Sequence, residues 1–126
     1  MYLYPLRTKQ LIIGVFLLTS TLFLQAREKI VDRISERIAV VNDDYYRVIG
    51  INTSEGIVLI DAHVSAEDMQ ECKTLFAKEF GTSDFIKVIY SHGDLEHVLG
   101  YSALPEAEHI CHEGMRLRQE RNRKTL

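Results

Sequence analysis

Two apolar runs set the terms for any fold this chain can adopt. "GIVLID" (56–61) and "DFIKVIYS" (84–91) are each long enough for one strand, and each is followed by polar, titratable side chains. Between them the apolar period changes. In "SAEDMQECKTLFAKEFG", Met69, Cys72, Phe76 and Phe80 recur every three or four residues with Leu75 at the margin, which is the spacing of one helix face. Ser65 and Asp68 have the spacing of a capping box, and Gly81 stands where a helix end favours a left-handed residue. The unbroken apolar character of "GIVLI" implies burial on both faces. Strand, helix, strand is an α/β arrangement, and in such folds chemistry collects beyond the C-terminal ends of the strands. If the two strands are parallel neighbours, Asp61 and His92 emerge on the same edge of the sheet.

The flanking sequence extends this unit in both directions. "IAVVN" (38–42) and "YRVIGIN" (46–52) read as short strands joined by a turn at Asn42, Asp43 and Asp44. Downstream, Pro105 ends a short helical turn, "AEHICH" reads as a fifth strand and "EGMRLRQERNRK" as a polar helix. At 126 residues there is room for one small domain.

Residues 1–26 are of another kind. Arg7 and Lys9 precede fourteen uncharged residues, "LIIGVFLLTSTLFL", followed by Gln25, Ala26 and the charged "REK". This is the order of a secretory signal peptide, and the apolar run is shorter than the roughly 17 to 25 residues that span a bilayer. Leu24 fits a small-x-small cleavage site poorly, so the alternative is a membrane anchor through residues 10–26. The expected division is therefore 1–26 as signal peptide or anchor and 27–126 as the folded domain, exported to a periplasmic or extracellular location. All 18 acidic but only 13 of the 15 basic residues follow residue 26, a net charge of -5, which gives no bulk attraction to nucleic acid. The basic group Arg116, Arg118, Arg121, Arg123 and Lys124 lacks an aromatic platform and reads as a solvated helix end, so no nucleic-acid partner is expected. Two cysteines, Cys72 and Cys111, are too few for a disulfide framework, with a single bridge as the alternative.

The chemistry lies in "YSHGDLEHVLG" (90–100). His92 and Asp94 are two apart, so in an extended segment they share a side; Glu96 and His97 follow a bend and can turn back. Imidazole nitrogens mixed with carboxylate oxygens suit zinc, with iron or manganese as alternatives, better than calcium. The candidate metal ligands are His92, Asp94, Glu96 and His97. Asp94 would ligate or orient water, and Glu96 would ligate or act as a base. The competing reading is a polar surface turn.

"VIYSHGDLEHVLG" resembles the signature loop of the metallo-beta-lactamase-fold hydrolases, in which a strand runs into His-x-His-x-Asp-His and a glycine follows. His92 matches the first histidine, His97 the last, and Gly100 the glycine. "NTSEGIVLIDAHVSAEDM" is similar to the upstream element, with Asp61 at its aspartate and His63 where glycine is frequent. The resemblance covers about residues 31–112. It implies an α/β fold, part of a metallo-beta-lactamase-like αββα sandwich, and metal-dependent hydrolysis of a small-molecule substrate. Asp94 replaces the second histidine and Glu96 the aspartate, and the later ligands of the family find no counterpart here. One zinc held by His92, Asp94 and His97 is then expected rather than two, with weak activity. A homo-oligomer or partner chain would cover the open half of the sandwich. The alternative is a non-catalytic or truncated member. His109 and His112 read as a strand and a surface histidine, and Asp61 as the residue that holds the loop through backbone hydrogen bonds.

Overall fold

A computed structural model describes residues 28–115 of the chain. The leader at 1–26 and the basic tail at 116–124 lie outside the described residues. No helix among those described is long and apolar enough to cross a membrane.

Six strands form one sheet in sequence order: β1 (Ile30–Arg33), β2 (Ile38–Asn42), β3 (Arg47–Asn52), β4 (Ile57–Ile60), β5 (Phe85–Ile89) and β6 (Glu108–Ile110). The pairings from β1 through β4 are antiparallel; β4 pairs with β5, and β5 with β6, in parallel. The parallel β4–β5 pair requires a crossover, and α1 (Ala66–Phe80) supplies it. Its ends are those the sequence specifies. Ser65 accepts the Asp68 amide at 3.1 Å, and Gly81 at φ 72° returns its amide to Ala77. Met69, Cys72 and Phe76 are fully buried from this helix, with Leu75 and Phe80 at the rim of the core. Two short helical segments follow β5, α2 (Leu95–Val98) and a 3-10 turn (Leu99–Ala103), before β6.

α1 lies over one face of the sheet only. On that face Ala39, Val41, Val48, Ile57, Leu59 and Val88 are buried, and Gly50 gives Phe76 its place: a Cβ there would sit 2.6 Å from the ring. The alternate residues point the other way. Pairing aligns Val40, Ile49, Ile60, Ile89 and Ile110 in one row and Ile38, Ile51 and Val58 in a second. These side chains are half-buried or exposed. Burial of β4 on both faces is therefore corrected: Ile57 and Leu59 are covered, whereas Val58 and Ile60 meet no second layer among the described residues.

Candidate metal centre

Because β4 and β5 run parallel, the residues that follow them arrive at one edge. The chain leaves β4 abruptly. Asp61 (φ 66°) and His63 (φ 61°) both adopt the left-handed conformation, which side-chain-bearing residues enter only at a cost of about 1–3 kcal/mol. Glycine would adopt the His63 value without that cost. This turn is clasped to the loop after β5: Ala62 donates to the His97 carbonyl at 2.8 Å, and Gly100 donates to the His63 carbonyl at 3.2 Å. Gly100 is needed for the approach, since an added Cβ would collide with the Ala62 carbonyl and lie 2.7 Å from that of Ser65.

Asp61 is the hub. Its buried carboxylate accepts the Ser91 amide (2.8 Å) and the Ser91 hydroxyl (2.8 Å to Oδ2), and lies 2.9 Å from His97 Nδ1. Ser91 Oγ is also 2.8 Å from His92 Nδ1. Counting protons along this chain gives the tautomer that each imidazole adopts when neutral. An ionised carboxylate only accepts, so His97 carries its proton on Nδ1 and the Ser91 hydroxyl points at Asp61. Ser91 Oγ has then spent its one proton, so His92 must donate from Nδ1. In their neutral forms both rings then present an unprotonated Nε2, and their centroids are 4.0 Å apart. A hydrogen bond on one ring nitrogen that readies the other for a ligand is the usual arrangement around protein-bound metals.

Ligand-capable atoms of Asp61, His92 and His97 come within 4.8 Å of one another. Asp61 is already engaged by Ser91 and His97, so its part is to orient. Asp94, the residue before α2, makes no capping bond with its side chain, and its Oδ2 lies 3.6 Å from His92 Nε2. That spacing suits two ligands of one ion, because zinc bonds of about 2.0–2.1 Å in a tetrahedron place ligand atoms roughly 3.4 Å apart. The two imidazoles and a carboxylate oxygen suit a single N/O-coordinated ion, but the group that comes together is Asp61, His92 and His97; Asp94 approaches His92 and is not part of that group. Glu96 sits on α2, half-buried, and does not join the cluster. Ser91 was missed by sequence reasoning: a serine at a strand end has no pattern to mark it.

The other histidines have separate roles. His63 is buried and faces Asp43 (Nε2 to Oδ2, 3.2 Å) and Asp68 (Nδ1 to Oδ2, 3.8 Å), with Nδ1 accepting the Val64 amide. Burial lowers its pKa despite the carboxylates nearby. Lys29 already supplies a positive charge to Asp68 at 2.7 Å. His109 stacks on Tyr90, with Nδ1 2.8 Å from its hydroxyl, and His112 is exposed; both agree with the sequence reading.

Among solved structures the chain superposes on a metallo-beta-lactamase from Hirschia baltica with a TM-score of 0.63, at 14% identity, covering 75% of this chain and 48% of that one. The fold is that of the metallo-beta-lactamases. A stereoselective inverting sec-alkylsulfatase, Pisa1 from a Pseudomonas species, matches with a TM-score of 0.57 at 19% identity, covering 63% of this chain and 14% of the sulfatase. The chain thus spans about half the length of the lactamase and a small part of the sulfatase. No protein-family model and no curated protein matches the sequence. The mixed sheet with α1 on one face is part of the metallo-beta-lactamase fold, as the loop resemblance implied, and its histidine edge is a candidate metal-binding edge.

Proposed function

We propose that this chain holds one divalent transition-metal ion between His92 and His97 and is a metal-dependent hydrolase whose activity is low in the isolated chain. The observation that carries the reading is the relay from Asp61 through Ser91, which in the neutral rings turns Nε2 of both histidines, on neighbouring rings, into available ligand atoms. Zinc suits the two nitrogens and the Asp94 carboxylate, with iron or manganese as alternatives. Such an ion supplies hydroxide near neutral pH and polarises the bond to be cleaved. Asp94 completes the ligand set or orients water, and Glu96 is the nearby carboxylate available as a base. Asp94 and Glu96 replace residue types of the resembling loop, and this argues for weak turnover. The substrate is a small molecule with an ester, thioester, amide or phosphoester bond, and the sulfatase likeness adds a sulfate ester.

The test is metal content after zinc reconstitution. About one ion is expected in the wild type and a clear loss in His92→Ala and His97→Ala, with any hydrolysis of a generic ester abolished by chelation. A zinc-free wild-type protein would refute the reading. A second reading, a subunit that needs a partner chain, is favoured by the two apolar rows on the open sheet face. Sedimentation giving a well-folded monomer at all concentrations counts against it. Export through the leader at 1–26 belongs to the same proposal, and the mass of the protein recovered from an exporting host checks it.

A further inference from the structure

A cleft of about 270 Å³ opens beside the histidine edge on the sheet face opposite α1. Val40, Ile49 and Ile60 line it with apolar surface, Tyr45 and Arg47 border it, and Asp61 and His97 connect it to the candidate centre. Strand register explains why Arg47 is there. Ile49 pairs with Ile60 across the antiparallel β3–β4 ladder, so Arg47, two residues earlier, lies level with the chain just beyond β4. It also shares a face with Ile49, since side chains two apart on a strand point the same way.

Arg47 makes no ion pair and no side-chain hydrogen bond among the described residues. Elsewhere Arg33 pairs with Glu79 and Lys87 with Glu108, whereas the carboxylate in this cleft, Asp61, is already engaged by Ser91 and His97. A guanidinium left unpaired over an apolar floor selects by charge: it binds a carboxylate, sulfate or phosphate oxygen pair through two parallel hydrogen bonds and disfavours cations. The floor selects by hydration, gaining from contact with methylene groups. The volume is just below the usual range of ligand sites, which limits the guest to a short chain.

We infer that this cleft binds a small amphiphilic organic anion, with its charged group on Arg47 and its apolar body over Val40, Ile49 and Ile60. Placing that anion as the substrate rests on the metal-centre reading; its binding does not. The experiment therefore uses the metal-free full chain, so a failed metal centre leaves the result readable. Hexyl sulfate, hexanoate and hexan-1-ol are titrated below micellar concentrations while histidine and isoleucine NMR signals are followed. At least one of the two anions is expected to bind about tenfold more tightly than the alcohol and to shift the His97, Ile49 and Ile60 signals. Arg47→Gln is expected to remove that advantage, and Arg47→Lys to restore part of it because charge remains without the fork. Preference for hexyl sulfate over hexanoate, or the reverse, identifies the anion type. Undiminished anion binding by Arg47→Gln, or shifts confined to residues outside the cleft, would overturn the inference.

Discussion

Replacing Asp61 by asparagine tests the claim that one carboxylate prepares both histidines. The backbone is not the reason such a change should matter, because asparagine tolerates the left-handed conformation that Asp61 adopts. The loss is electrostatic. Asp61 takes three donors: the Ser91 amide, the Ser91 hydroxyl and His97 Nδ1. A hydrogen bond to a charged partner contributes roughly 1.5–3 kcal/mol and a neutral one about 1, so neutralising the acceptor costs about 1 kcal/mol per donor. Three donors give about 3 kcal/mol, and the amide NH2 that replaces one oxygen faces a donor with another donor. In a domain of about a hundred residues this lowers Tm by more than about 10 °C. Zinc affinity should fall by about 10- to 100-fold, the usual effect of removing an outer-shell partner. Thermal denaturation of the metal-free protein and a competitive zinc titration report the two effects separately. A fall in Tm with zinc affinity unchanged would leave Asp61 as a loop brace and refute its role in setting the imidazole tautomers. An unchanged Tm would refute the network itself. Ser91→Ala is the milder companion, with about 1 kcal/mol lost and His92 alone released from its orientation.

Two further outcomes follow from the packing and charge around this edge. Gly100→Ala drives a methyl group into the Ala62 carbonyl and is expected to cost at least about 1–3 kcal/mol, read as a lower midpoint in urea, whereas Gly81→Ala loses only the strain-free left-handed cap and should cost less. Lys29 has its pKa raised to about 12: burial lowers it, and the hydrogen bonds and charges of Asp68 and Glu71 more than compensate. A folded-state pKa above the ordinary 10.5 contributes stability that is complete below pH 10.5 and is lost as pH rises through 12, an amount that solvent screening at the exposed Glu71 keeps small. Urea midpoints at pH 8 and above pH 11 should therefore diverge in the wild type and converge in Lys29→Met.

Much of the architecture could be read from residues that work locally. "IAVVN" is β2 without adjustment, and Ser65, the 3.6-residue period and Gly81 bound α1. β1 could not be read this way. "IVDR" is short and lacks alternation, and Ile30 is 57% exposed, so its strand conformation comes from pairing with β2 rather than from its own pattern. The site divides along the same line. Spacing brought His92 and Asp94 to one side, and parallel strands brought Asp61 to the same edge. The relay through Ser91 depends on where a hydroxyl proton must point, which no spacing rule contains. Spacing alone lets either Glu96 or His97 turn back after the bend; both lie on α2, where successive side chains point about 100° apart, and it is His97 that faces Asp61.

On the proposed reading, the open sheet face and the low activity of the centre have one physical cause. Val40, Ile49 and Ile60 belong both to the uncovered apolar row and to the cleft that meets His97. A second layer set against that row would remove apolar surface from water and would close the cleft toward solvent. Closure lowers the local dielectric, so the Arg47 contact with an anion and the attraction of His92, His97 and Asp94 for a cation would strengthen together. Assembly and affinity are then linked. Should a further copy or a separate chain cover the face, the proposed anion and zinc sites are expected to tighten in the same concentration range in which it associates. Covering without that gain would mean that the face and the centre are independent, and would separate the partner reading from the hydrolase reading.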